Sequence, residues 1–211
     1  MTDVARSEYW ESRYLDGSTR WDLGQPAPPF ASWLASEMAL PLGRAIVLGC
    51  GRGSDALLFA RHGFEVVGVD FAPSAIASAT AAAARDGIPA TFLLSDIFAL
   101  PQEFAGSFDY AIEHTCFCAL PPTQRDAYVQ LTRSLLKPGG ELLAIFFTHS
   151  RPGGPPFGSH PADIVRLFGR AFEILCLEPI AHSISVRQGE EHFGRLRRRD
   201  EQYTDRERSL L

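Results

Sequence analysis

The sequence predicts an α/β protein built on a mostly parallel sheet with helices on both faces. Three observations predict it. Apolar β-type runs alternate with helix-like runs through the middle of the chain, the first run feeds straight into a glycine-rich turn, and two later runs end at or near an aspartate. Parallel strands need crossover helices, and those helices cover both faces. Ala45–Leu48 is the first strand, and GCGRG (Gly49 to Gly53) follows at once. Ser54–His62 places Ala56, Leu57, Phe59 and Ala60 at helical spacing. Phe64–Val69 is rich in β-branched residues and ends at Asp70. Pro73 opens the alanine-rich helix Ser74–Arg85, and Gly87 and Pro89 close it. Thr91–Leu94 is a third strand, ending near Asp96, and Phe108–His114 a fourth. Pro122–Leu136 reads as a helix stopped by KPGG (Lys137–Gly140), and Glu141–Phe147 is the fifth strand. A helix at Ala162–Gly169 precedes two strand-like runs, Phe172–Leu177 and Ser183–Arg187. Those two are expected as an antiparallel hairpin at the edge of a seven-stranded sheet. Trp10, Trp21 and Trp33 lie in a helical N-terminal segment, and the charge run from Arg195 reads as a solvated helix or a frayed tail. One domain is expected over 1–211: an N-terminal segment 1–40, the core 41–187 and a charged segment 188–211.

Composition narrows the function classes. The 211 residues suit one domain, and 45% apolar with 21% charged residues is ordinary for a globular enzyme. A net charge of −5 disfavours a nucleic-acid partner. No apolar run approaches the roughly 20 residues of a membrane helix, and the polar start MTDVARSEYWESRY shows no secretory signal. Of the four cysteines only Cys116 and Cys118 are close, as C-x-C, without a second pair or histidine cluster for a metal. A reduced, cytoplasmic protein is expected, a monomer or weak dimer with no membrane partner.

The turn GCGRGSD carries the chemistry. Glycines there allow φ > 0 and let a ligand approach the main chain. Asp70 follows by about 20 residues, the spacing of a carboxylate on ribose hydroxyls; the same position suits a cap for the next helix. G-x-G-x-x-G fails because Ser54 takes the sixth position, and no G-K-[ST] follows for a P-loop. What remains is similar to the G-x-G-x-G turn of S-adenosylmethionine enzymes. The strand order over 44 to about 187 resembles the Rossmann-like class I methyltransferase fold.

A narrower resemblance is carried by YWESRYLDGSTRWDLGQPAPPF (Tyr9–Phe30), PLGRAIVLGCGRGSD (41–55), VVGVDFAPSAI (66–76), FDYAIEHTCFCALPP (108–122) and GGPPF (153–157). These resemble the thiopurine methyltransferase superfamily, especially its thiol and halide methyltransferase branch. The acidic residue usual two places before the first glycine is Val47 here, as suits that branch. The resemblance implies S-adenosyl-L-methionine as cofactor and segment 1–40 as a lid over it. It implies lid contacts from Trp10, Trp21 and Asp22, though Trp10 also suits plain core packing with Tyr14. Gly49 and Gly51 would face the methionine portion, and Cys50 between them counts with the cofactor site or as a small turn residue. Asp70 and Phe71 would lie at the ribose and Asp96 and Ile97 at the adenine. Glu113 would stand beside the sulfonium.

The acceptor side departs from the family pattern. Glu113, His114 and Thr115 follow the fourth strand, where relatives carry other residues. His114 or Glu113 would assist deprotonation of an acceptor, and Arg187 would attract an anionic one; surface pairing remains the alternative for each. The expected reaction is methylation of a small-molecule thiol. Halide, oxygen or nitrogen methylation, and a binding module without catalysis, remain open.

Overall fold

The computed structural model describes residues 4–36, 40–181 and 183–200. The expectation for the tail beyond residue 200 lies outside them. Strand β1, Arg44–Leu48, shows why the core has two sides. Successive side chains of a strand point to opposite faces. Ile46 and Leu48 join one apolar cluster, and Ala45 and Val47 join the other. Both faces are buried, so the run reads as continuously apolar.

Helix α1 (Ser7–Asp16) and α2 (Pro28–Leu34) precede β1. The turn after β1 leads into α3 (Ser54–Arg61), then β2 (Glu65–Asp70), α4 (Pro73–Asp86) and β3 (Ala90–Leu94). Pro73 takes the first turn of α4, and Gly87 ends it in the left-handed conformation at φ 65°. A short α5 (Pro101–Phe104) leads to β4 (Phe108–His114), α6 (Arg125–Leu135) and β5 (Leu136–Phe147). Helix α7 (Pro161–Phe168), β6 (Phe172–Pro179) and β7 (Glu191–Arg198) complete the order.

The seven strands lie in the order β3-β2-β1-β4-β5-β7-β6. Strands β1 to β5 are parallel, and β7 runs antiparallel to both β5 and β6. The order reverses between β1 and β4, so the loops after those strands part and leave a crevice. Helices α6 and α7 pack Tyr128, Leu135, Ile164 and Phe168 on one face. Helices α2 and α3 pack Phe30, Leu34 and Phe59 on the other.

The edge of the sheet corrects two expectations. The partner of β6 is not Ser183–Arg187, of which Ser185–Arg187 is a single 3-10 turn. It is Glu191–Arg198, so the sheet extends past 187 and the charge run from Arg195 begins inside a strand. Arg195 and Arg197 share one face and both donate to Glu141 of β5, at 2.6 and 3.0 Å. Leu196 between them is fully buried. The charges hide a period-2 pattern whose partner lies on a distant strand. KPGG differs less: the chain does not leave the sheet there, and the pairing with β4 slips from Phe108↔Leu136 to Tyr110↔Glu141 across a bulge.

Candidate active site

The loops after the parallel strands line one cavity of about 900 Å³, at the upper end of small-molecule sites. Gly49, the first residue of the turn after β1, lies on its wall. Gly49, Gly51 and Gly53 have φ of 61°, 55° and 84°, which explains the three glycines in five residues. A Cβ on Gly49 would come within 3.0 Å of the Cys116 thiol.

Asp70 ends β2 and opens into this cavity while only 8% exposed. Its Oδ2 accepts the Gly51 amide at 3.0 Å and its Oδ1 accepts the Ala72 amide at 2.9 Å. The carboxylate therefore braces the glycine turn and the start of α4, and each oxygen keeps a lone pair for a ligand. Burial holds its pKa above the usual carboxylate range, against the pull of the Ala72 and Gly51 amides. Asp96 follows β3 and accepts the Phe98 amide at 2.9 Å. Phe71, Asp96 and Ile97 also line the cavity.

The N-terminal segment covers one side. Trp10 and Trp21 line the cavity and meet edge to face at 5.2 Å between centroids. Glu11 anchors them to the core: its carboxylate accepts the Ser74 amide at 3.0 Å and the Ser74 hydroxyl at 2.5 Å. This places an acid at the N-terminus of α4, where the helix dipole favours it.

The loop after β4 is bent sharply at Thr115, a β-branched residue at φ 65°. Such a conformation persists only where the surroundings enforce it. Glu113 does so from below. Its Oε1 accepts the Phe117 amide at 2.9 Å and its Oε2 the Tyr128 hydroxyl at 2.6 Å. Full burial raises the Glu113 pKa to about 7. Thr115, Cys116 and Cys118 face the cavity. Burial pushes the Cys118 thiol up to about 12 and Cys116 well above its usual range, so neither is a ready nucleophile. Opposite, Phe147 at the end of β5 lies between two guanidinium groups, 5.6 Å from Arg187 and 5.5 Å from Arg151.

Several expected site residues do not reach the cavity wall. Glu113 is buried behind the β4 loop. His114, Asp22, Cys50 and Gly51 face a separate crevice of about 50 Å³ that Trp21 and Leu23 also line. Asp22 pairs with Arg52 at 2.6 Å instead, and both ring nitrogens of His114 are engaged, by Asp55 at 2.8 Å and Arg187 at 3.1 Å. Arg187 does reach the cavity, and its pairing with Glu191 is buried rather than on the surface. Tyr14, Asp55, Phe147 and Arg151 were missed. Tyr14 had a signal, one helical turn from Trp10; its hydroxyl accepts the Trp21 indole N–H at 3.3 Å. Asp55 sits inside the glycine-turn motif but reads there as a helix start.

Together the strand order, the cleft at the reversal point, the glycine turn and the two strand-end acids define a class I S-adenosylmethionine-dependent methyltransferase. S-adenosylmethionine fits this frame: Gly49 leaves bare backbone at the cavity, Asp70 offers free lone pairs, and Phe71, Ile97 and Phe98 give an apolar edge for a ring. The chain belongs to the thiopurine S-methyltransferase (TPMT) family, whose model matches residues 5–208. It is 35% identical over 190 residues to the "probable thiol methyltransferase 2" of Arabidopsis thaliana, covering 88% of this chain and 83% of that one. It is 36% identical over 193 residues to thiocyanate methyltransferase 1 of Brassica oleracea, with the same coverage of 88% and 83%. Its fold is shared with 1,6-didemethyltoxoflavin-N1-methyltransferase of Burkholderia thailandensis, a structure holding S-adenosylhomocysteine: TM-score 0.75, 21% identity, 93% of this chain and 88% of that one.

Proposed function

We propose that this methyltransferase S-methylates a small thiol, taken as its thiolate. One observation carries the reading. Among the described residues, the cavity wall formed by the chain after β4, β5 and β6 holds the cations Arg151 and Arg187 and neither a carboxylate nor an imidazole. Methylation of a hydroxyl calls for a base at that wall, whereas a soft anion needs only a cation and a dry, apolar seat. The thiol and thiocyanate methyltransferase names of the two plant relatives support the same class.

The bound cofactor supplies a methyl group made electrophilic by its positively charged sulfur. The chain's residues would do the rest. Asp70 would accept hydrogen bonds from the ribose hydroxyls, with Phe71 against them, and Asp96 and Ile97 would hold the adenine. Gly49 would admit the methionine portion, and Trp10 and Trp21 would exclude water. Arg187, 6% exposed and facing the cavity, would draw the acceptor's sulfur in and favour its ionised form. An unperturbed thiol ionises near 8.5, so a neighbouring cation brings it toward neutrality without a base.

A panel of thiols, halides and oxygen or nitrogen metabolites, scored by S-adenosylhomocysteine release, tests the reading. Thiols are expected to turn over fastest, with the rate following the thiolate fraction. A preference for a hydroxyl or amine acceptor overturns it, and cofactor binding without turnover of any acceptor favours a binding module. All four cysteines are free, and no described helix is long and apolar enough to cross a membrane. A single catalytic domain, working in the cytoplasm as a monomer or weak dimer, is part of the proposal; gel filtration tests the oligomeric state.

A further inference from the structure

Arg187 is held from three directions. Its Nη1 donates to His114 Nε2 at 3.1 Å and to Glu191 Oε1 at 3.3 Å. Its Nη2 donates to the Trp21 carbonyl at 3.0 Å. Across the imidazole, His114 Nδ1 meets Asp55 Oδ2 at 2.8 Å, and Asp55 Oδ1 accepts the Ala27 amide at 2.7 Å. A guanidinium has donors only, so His114 Nε2 must present its lone pair to it. Nδ1 then carries the proton and donates it to Asp55. With both ring nitrogens bonded, His114 has none left for a substrate's proton.

We infer that Asp55, His114 and Arg187 form a staple that closes the lid segment Trp21–Ala27 and aims the guanidinium into the acceptor side of the cavity. Arg187 grips the segment at the Trp21 carbonyl, and Asp55 grips it at the Ala27 amide. The two grips join through His114. The His114 and Asp55 side chains are only 10% and 13% exposed, so water competes poorly for these bonds. His114 is a positioning residue here, acting through Arg187 and the lid. The acceptor half of this inference rests on the role proposed above for Arg187; the lid half does not.

Two substitutions separate the staple from simple packing. His114→Gln keeps one acceptor for Arg187 and one donor for Asp55. His114→Phe keeps an aromatic ring against Phe30, which meets the imidazole edge to face at 6.3 Å, and removes both bonds. The first readout is hydrogen exchange of the amides in 21–27 in the protein without cofactor. The second is KM and kcat for a thiol in the loaded enzyme. His114→Phe is expected to speed exchange in 21–27 and to raise the thiol KM about tenfold or more, the loss of one hydrogen bond to a charged group. His114→Gln is expected to stay near the parent in both. A His114→Phe protein matching the parent in both readouts overturns the staple, as does a folded His114→Gln protein falling as far as His114→Phe. Faster exchange with an unchanged thiol KM leaves the lid staple standing and removes Arg187 from acceptor binding.

Discussion

Asp70→Asn tests the cofactor assignment where it is most exposed to failure. The parent carboxylate accepts two backbone amides, from Gly51 and Ala72, and faces the cavity with its remaining lone pairs. Asparagine keeps one acceptor oxygen. Its NH2 must face one of the two backbone amides, donor against donor, or turn toward the ligand's hydroxyls. Hydrogen bonds to a charged group contribute about 1.5–3 kcal/mol each. Loss of one such bond to the ribose weakens binding about tenfold, and loss of two about a hundredfold. Calorimetric titration with S-adenosylmethionine measures this, and far-UV circular dichroism confirms that the variant is folded. Burial raises the Asp70 pKa, so parent affinity is expected to fall on acidification sooner than an ordinary carboxylate would allow. That fall is absent in the variant. A folded Asp70→Asn protein with parental affinity refutes the ribose role.

Glu113 protonates at about 7 when folded, against 4.5 for an unperturbed glutamate. Its protonated form therefore stabilises the fold fully below about 4.5, and that contribution is lost as pH rises through about 7, a swing on the order of 3 kcal/mol. Glu113→Gln should flatten urea stability between pH 5 and 8; a slope equal to the parent's counts against the buried acid. Arg187→Met strands the Glu191 carboxylate, which is 4% exposed, and should destabilise by about 3–5 kcal/mol. Adding Glu191→Gln should restore much of the melting temperature without restoring thiol turnover, and recovery of both would show a purely structural arginine. Glu11→Ala removes two bonds to Ser74 and should weaken cofactor affinity severalfold by loosening α1 and the Trp10 it carries. Unchanged affinity would mean that α1 docks without help from this acid.

Much of the core was legible because local pattern and tertiary burial agree. Phe108–His114 was read with its observed bounds, and the alanine-rich helix differed by one residue at each end. Proline and glycine mark those ends in the sequence itself. The strand-end acids were legible for a related reason, since a parallel sheet delivers every carboxyl end to one edge. Strand β7 was not, because Arg195 and Arg197 are neutralised by Glu141, 54 and 56 positions earlier. His114 shows the same limit at the site. A histidine at a strand end looks free to meet a ligand until Asp55, 59 positions away, and Arg187, 73 positions away, occupy both of its nitrogens.

The proposed reaction moves a methyl group from S-adenosylmethionine to the sulfur of a small thiol, with a cation and no base. Its most direct test uses cofactor bearing a deuterated methyl group, a series of thiols of falling pKa, and mass spectrometry of the products at one pH. S-methyl products carrying the intact label are expected, formed in step with S-adenosylhomocysteine and faster at fixed pH as the thiolate fraction rises. Label found on oxygen or nitrogen of the acceptor, or cofactor bound and never consumed across the series, would contradict it.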